Sequence, residues 1–197
     1  MSPTHRLHFL LATQNKGKVR EIRLALSPFD IEFESLEQYK HLPEGQETGS
    51  TFVENARLKA QHYQGLTGVS SLADDSGLAV DGLGGEPGIR SARFAPTDDK
   101  RIAKLLKRMD SLSDDADRTA RFISAICLIL PDRVIEVVGE VQGRITRSPR
   151  GDRGFGYDPV FYYAPLEKTF AQMTPEEKNR VSHRAIALKK LVEELEN

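Results

Sequence analysis

Residues 119–130 and 134–145 form two apolar, β-prone runs on either side of Pro131-Asp132-Arg133, which reads as a hairpin turn. Strands this long reach beyond one compact layer. They are expected to run through two lobes and to leave a cleft between them. The 197 residues fit one large domain or two small lobes sharing a core. The expectation is a single two-lobed domain over residues 1–197.

The remaining pattern is α/β. Residues 7–12 read as a buried N-terminal strand, residues 69–73 as a second, and residues 31–33 as an edge strand between acids. A helix follows Lys18, with Val19, Ile22 and Leu26 at spacings of three and four. Thr51-Phe52-Val53-Glu54 is a capping box, opening a helix to about residue 66 with Phe52, Ala56, Ala60 and Tyr63 on one face. Asn55 and Lys59 lie one turn apart on another face, solvated or turned into a cleft. Residues 97–109 form a basic amphipathic helix with Ile102, Leu105, Leu106 and Met109 inward. Residues 111–117 read as an acidic connection, and residues 159–163 as a short strand. Thr174-Pro175-Glu176-Glu177 caps a short helix ending near Arg180. Ser182-His183-Arg184 opens the last one, with Leu188, Leu191, Val192 and Leu195 inward.

Chemistry concentrates in a few stretches. In Ala73-Asp74-Asp75-Ser76-Gly77-Leu78, two carboxylates and a hydroxyl follow directly on the second strand. On its own this reads first as a tight turn, since Asp, Ser and Gly are ordinary turn residues. Acids at a strand end also suit a hard metal ion or an activated water. If strand alternation persists, only one of Asp74 and Asp75 faces the cleft. Thr13-Gln14-Asn15-Lys16-Gly17-Lys18 joins a strand to a helix N-terminus, where free N–H groups attract phosphate. Either that or a capped helix start with solvated lysines fits. It is not a phosphate loop of the Walker type, because Val19 follows Gly17-Lys18. Gly82, Gly84, Gly85 and Gly88 do not form a dinucleotide fingerprint, because Pro87 stands where a glycine is required. In Gly154-Phe155-Gly156-Tyr157-Asp158-Pro159, aromatic rings on turning backbone can stack on a nucleobase or fold back on the core. His183 and Arg184 at a helix N-terminus oppose the dipole, which invites a ligand as the reason.

With Lys plus Arg at 28 and Asp plus Glu at 29, the net charge is −1. No global field gathers nucleic acid or an acidic membrane. The single cysteine, Cys127, fits a buried inert thiol in a reducing, cytoplasmic setting. Neither a secretory signal nor a membrane-spanning run is read. Together the stretches describe a site for a magnesium nucleoside triphosphate. Lys18, Lys59, Lys178 and Arg184 supply positive charge, and Glu47 and Asp75 hold Mg²⁺, which takes one or two carboxylates plus substrate phosphates.

In this order, Leu11-Ala12-Thr13-Gln14-Asn15-Lys16-Gly17-Lys18, Glu47-Thr48-Gly49-Ser50-Thr51-Phe52-Val53-Glu54-Asn55-Ala56, Ala73 to Leu78, Pro87-Gly88-Ile89-Arg90-Ser91-Ala92-Arg93, Gly154 to Pro159 and Ser182-His183-Arg184 resemble the inosine triphosphate pyrophosphatase family. The resemblance implies a homodimer of two-lobed α/β subunits with an elongated central mixed sheet flanked by helices and an active-site cleft between the lobes. It implies Mg²⁺-dependent hydrolysis of ITP, dITP and XTP to the monophosphate and pyrophosphate. By position, Thr13, Gln14, Asn15, Lys16, Gly17 and Lys18 would cradle the triphosphate. Glu47 and Asp75 would serve the metal, with Asp75 the proton acceptor, and Ser76, Lys59 and Lys178 would contact substrate. Phe155, Gly156, Tyr157, Asp158, His183 and Arg184 would form the base pocket. Arg184 only donates, so it suits the C6 carbonyl of hypoxanthine or xanthine and leaves an adenine amino group unpaired. Two rivals stand beside this reading: a Maf-like pyrimidine nucleotide pyrophosphatase and a non-catalytic nucleotide-binding module.

Overall fold

A computed structural model describes residues 7–111 and 118–196. The acidic connection read over residues 111–117 lies outside these apart from Ser111, as do residues 1–6 of the start. The chain runs β1 (Leu7–Leu11), α1 (Lys16–Leu26), β2 (Ile31–Ser35), α2 (Phe52–Thr67), β3 (Ser71–Val80), α3 (Asp98–Met109), β4 (Thr119–Ile129), β5 (Val134–Ile145), β6 (Phe161–Tyr163), β7 (Lys168–Thr169), α4 (Pro175–Val181) and α5 (His183–Glu196). One mixed sheet in the order β2-β1-β3-β4-β5-β6-β7 carries the fold. β1 is parallel to β2 and β3, and the other pairings are antiparallel.

The long hairpin forms as its sequence dictates. β4 and β5 pair from Thr119–Arg144 to Ile129–Val134. β4 is buried on both faces over its second half, so it reads as a nearly continuous apolar run. β5 is covered on one face, and its odd-numbered residues Ile135, Val137, Val141 and Ile145 are buried. β4 reaches three packed clusters: Phe122 packs with Leu78, Val141 and Phe161, Ile126 and Leu128 with Phe9, Ile135 and Leu191, and Ala125 and Cys127 with Ala56 and Ala60 of α2. Burial pushes the Cys127 thiol up to about 12, so it is the inert core thiol expected.

One local reading is overturned. Asp74-Asp75-Ser76-Gly77 is no turn. β3 continues through it to Val80, paired residue by residue with β4 from Ser71–Ile129 to Val80–Ala120. Ten consecutive cross-strand pairs outweigh the turn preference of four residues. The acids therefore stand in mid-strand rather than at a strand end.

α5 lies so close to β5 that a Cβ at Gly139 would stand 2.1 Å from the His183 carbonyl oxygen and 2.4 Å from the Ala187 nitrogen. Both are backbone atoms, so no rotamer relieves the clash. Gly139→Ala is expected to destabilise the protein by about 1–3 kcal/mol or more, as overpacking does. Urea denaturation checks this, and an unchanged midpoint would contradict the close packing.

Candidate active site

β1 pairs with β3 only through Leu10–Ser71 and Leu11–Leu72. From Ala73 to Gly77 no strand pairs with this edge of β3, past the carboxyl end of β1, the place where open α/β sheets bind ligands, and beyond it the turn at residues 86–91 bridges Leu78, Ala79 and Val80. Successive side chains there point to opposite faces. Ala73 packs on α2, and Asp75 shares that side. Asp74 and Ser76 both meet Arg184 of α5.

Asp74 is closed off. Ser124 Oγ donates to it at 2.9 Å, Arg184 Nε donates at 2.7 Å, and Lys18 Nζ stands 3.5 Å away. Burial alone would raise its pKa, but Arg184 and Lys18 hold the carboxyl well below the usual range. Asp75 is the opposite case. Its Oδ2 is buried without a hydrogen-bond partner. Burial, with the neighbouring Glu47 and Asp74 charges, raises its pKa to about 6 against the pull of Lys18 and Lys59. So the expectation that only one of the pair opens to the cleft holds, and it is Asp75.

A cavity of about 240 Å³ gathers Asp75 and Glu47 with Lys18, Lys59, Lys178 and Arg184. Thr13, Asn15, Ser76, Phe155, Gly156, Tyr157, Asp158 and His183 also line it. Side chains from residues 13 to 184 thus converge as the sequence reading requires. At Thr13, Glu47 and Lys59 the cavity meets a second compartment of about 590 Å³, lined also by Gln14, Gln46 and Arg93. Lys16 is not brought in. It lines a different groove, with Arg20, Arg23 and Lys40.

The strand-to-helix turn is a capped helix start as well as a wall of the cavity. Asn15 Oδ1 accepts the Gly17 and Lys18 N–H groups at 2.9 and 3.1 Å. Lys18 Nζ donates to the Asp74 carbonyl oxygen at 3.1 Å. Burial lowers the Lys18 pKa, and Asp74 resists the change. Gly17 is the floor on which the Phe155 ring lies.

Glu47 sits on the loop before α2, which α2 itself pins. Asn55, fully buried, accepts the Gly49 N–H at 2.8 Å, and Glu54 accepts from the Ser50 N–H and hydroxyl at 2.7 Å. Asn55 is thus an anchor, not a solvated residue. Glu47 is ion-paired with Lys59, and Arg93 Nη2 stands 3.6 Å from its Oε2. Burial pushes its carboxyl up, but Lys59 draws it below the usual range.

At the other end, Phe155 faces two cations. Lys178 Nζ is 4.9 Å from its ring centroid and Arg184 Cζ is 5.8 Å away. His183 stacks on Phe122 at 4.7 Å, and its Nδ1 is buried without a partner. Burial, with Arg184 and Lys178 nearby, drives its pKa well below the ordinary value, so the imidazole is neutral. The dipole conflict read from the sequence therefore dissolves: His183 is uncharged, and Arg184 is ion-paired with Asp74 and Glu21. Tyr157 and Asp158 of the 154–159 loop line the cavity and also tie that loop to the scaffold. Tyr157 folds back, its hydroxyl donating to the Ser91 carbonyl at 3.0 Å. Asp158 accepts the Phe155 N–H at 2.8 Å and the Lys178 ammonium.

Sequence reasoning missed Glu21, which bridges Lys178 and Arg184. It also missed Asp98, which accepts the Gly156 N–H at 2.7 Å. Both look like solvated helix acids, and their partners lie far away in the chain. Among the described residues no group of three or more His, Cys, Asp or Glu could hold a metal. Two carboxylates with substrate phosphates suffice for Mg²⁺, and a buried, unpartnered Asp75 oxygen beside Glu47 fits that ion.

Comparisons with known proteins assign the fold to a family. A family model described as the Ham1 family matches residues 9–194. The chain is 48% identical over 188 residues to a dITP/XTP pyrophosphatase of Streptococcus thermophilus, covering 93% of this chain and 58% of that protein. It is 45% identical over 190 residues to a dITP/XTP pyrophosphatase of Exiguobacterium, covering 96% of this chain and 97% of that one. The chain therefore spans little more than half of the streptococcal relative. Among solved structures it resembles a HAM1 protein from Coxiella burnetii, with a TM-score of 0.86 at 42% identity over 96% and 98% of the two chains. A dITP/XTP pyrophosphatase from Mycobacterium abscessus gives 0.74 at 40% identity, over 94% and 97%. By its sequence match and its fold, the chain belongs to the Ham1 family.

Proposed function

We propose that this chain hydrolyses nonstandard purine nucleoside triphosphates (ITP, dITP and XTP) to the monophosphate and pyrophosphate in a Mg²⁺-dependent reaction. The observation that carries the reading is Asp75, a buried carboxylate with a free oxygen and a raised pKa, facing cations from four elements. The relatives named dITP/XTP pyrophosphatase support it. Asp75 accepts a proton from water, the water oxygen bonds to phosphorus, and the bond bridging the α- and β-phosphates breaks. Glu47 and Asp75 would hold Mg²⁺, which when bound draws charge off the phosphoryl oxygens. Lys18 and Lys59 balance the polyphosphate.

At the other end Phe155 offers a ring face to the base. His183, neutral, presents Nδ1. Arg184 uses three N–H groups on Asp74, Glu21 and Ser76, and a guanidinium has five, so donors are left for a C6 carbonyl. An adenine amino group facing this guanidinium meets only donors. Polar pockets of this kind discriminate by about 10⁴ or more. The proposal extends to a homodimer, implied by the resemblance and tested by light scattering.

A substrate panel tests the reading. With Mg²⁺, kcat/KM for dITP and XTP is expected to exceed that for dATP and dTTP by about 10³-fold or more. Preference for dTTP or UTP would favour the pyrimidine rival. Binding without turnover, unaffected by joint loss of Glu47 and Asp75, would favour a non-catalytic module.

A further inference from the structure

Arg93 has no role in the reaction as described above. Its side chain is 56% exposed, and it overhangs the second compartment beside Lys59, Thr13, Gln14 and Gln46. Its 3.6 Å approach to Glu47 is too long for a good hydrogen bond, so its donors are uncommitted there.

Although the guanidinium is exposed, the turn that carries it is fixed. Two residues earlier, Ser91 Oγ accepts the Leu78 N–H at 2.9 Å and donates to the Gly88 carbonyl at 2.6 Å. The Ser91 carbonyl accepts the Tyr157 hydroxyl at 3.0 Å. This turn reaches β3 only because Gly77 has no side chain: a Cβ there would stand 2.5 Å from Ser91 Oγ and 2.6 Å from the Gly88 oxygen. Residues 88–93 are thus pinned two positions beyond Asp75 on its own strand and its own face, with the Arg93 guanidinium free to reach a ligand.

The two compartments differ in chemistry. The one on the Phe155 side holds rings and a neutral imidazole at one end, which suit a base, and reaches Lys18 and Lys59 at the other. The one across Glu47 offers amides, hydroxyls and the cations Lys59 and Arg93 beside the carboxylates Glu44 and Glu47, and suits phosphate oxygens where Arg93 overhangs it. Arginine grips phosphate with two parallel N–H bonds, which lysine does not. We propose that Arg93 is the guanidinium that takes the pyrophosphate half of the substrate and the pyrophosphate product, opposite the base pocket across Asp75 and Glu47. This rests on the functional reading above.

The test is product inhibition of ITP turnover, by pyrophosphate and separately by IMP, in wild type, Arg93→Met, Arg93→Lys and Arg90→Met. Arg90 is an exposed arginine on the same turn. The inhibition constant for pyrophosphate is expected to rise about 10- to 100-fold in Arg93→Met, as loss of hydrogen bonds to a charged group implies. Arg93→Lys should fall between, Arg90→Met should match wild type, and IMP inhibition should not move. Calorimetric titration with magnesium pyrophosphate should report the same loss without turnover. Unchanged pyrophosphate binding in Arg93→Met would overturn the assignment, as would equal weakening of pyrophosphate and IMP. If wild type releases no pyrophosphate from ITP, the functional reading fails and the assignment with it. If pyrophosphate is released but Arg93→Met binds it normally, only the assignment fails.

Discussion

Asp75→Asn is expected to lower turnover of dITP by about 10³-fold or more while making the ligand-free protein more stable. The two effects share one cause. Asp75 is a buried carboxylate beside other acids, with one oxygen unpartnered. Its pKa of about 6 lies above the ordinary value of 3.8, so the fold disfavours its charge. That cost is fully present above about pH 6 and is relieved as the pH falls toward 3.8. Removing the charge should therefore stabilise the metal-free protein by about 1–3 kcal/mol at pH 8 and by only a small fraction of that near pH 4. Denaturation in the presence of a chelator at the two pH values measures this. A destabilised Asp75→Asn at pH 8 would mean that the carboxylate is a structural partner and not a strained catalytic one.

Arg184→Met is expected to show the reverse sign. Arg184 is 1% exposed and ties Asp74, Glu21 and Ser76 together. Its removal leaves Asp74, itself fully buried, with Ser124 and a lysine at 3.5 Å. Breaking a buried pair in this way costs about 3–5 kcal/mol. In wild type the depressed Asp74 pKa contributes stability above the unfolded value of 3.8, lost as the pH falls through the folded value. Without Arg184, burial raises the Asp74 pKa, and the carboxyl can protonate. The deficit of the variant should then shrink on acidification from pH 7 toward pH 4. Asp74→Asn should recover part of it at pH 7, because the two residues couple. A deficit below about 1 kcal/mol at pH 7 would put the pair in the class of surface ion pairs.

These two carboxylates mark the limit of what the sequence reveals. Their neighbourhood to each other, and their splitting to opposite faces, is legible from strand alternation. The long hairpin of β4 and β5 and the capping boxes at Thr51 and Thr174 are also legible, because they depend on residues adjacent in the chain. The mid-strand position of Asp74 and Asp75 is not, because it is imposed by β4, whose pairing with them no local preference encodes. The same holds for Glu21, which becomes a site residue only when α1 meets α4 and α5. Lys178 and Arg184 read as cations of the site, but their pairing with Glu21, Asp74 and Asp158 is not legible, since those carboxylates come from elements remote in sequence. The rings of the 154–159 loop read equally as stacking or folded back, and only the distant Ser91 carbonyl decides that Tyr157 folds back.

The central proposition is that Asp75, Glu47 and the cations around them act together on the bond between the α- and β-phosphates of a nonstandard purine nucleotide. Phosphorus NMR of dITP incubated with the chain and Mg²⁺ tests it most directly. The predicted spectrum gains dIMP and pyrophosphate in equal amounts. Appearance of dIDP with inorganic phosphate, or an unchanged dITP spectrum, would contradict it.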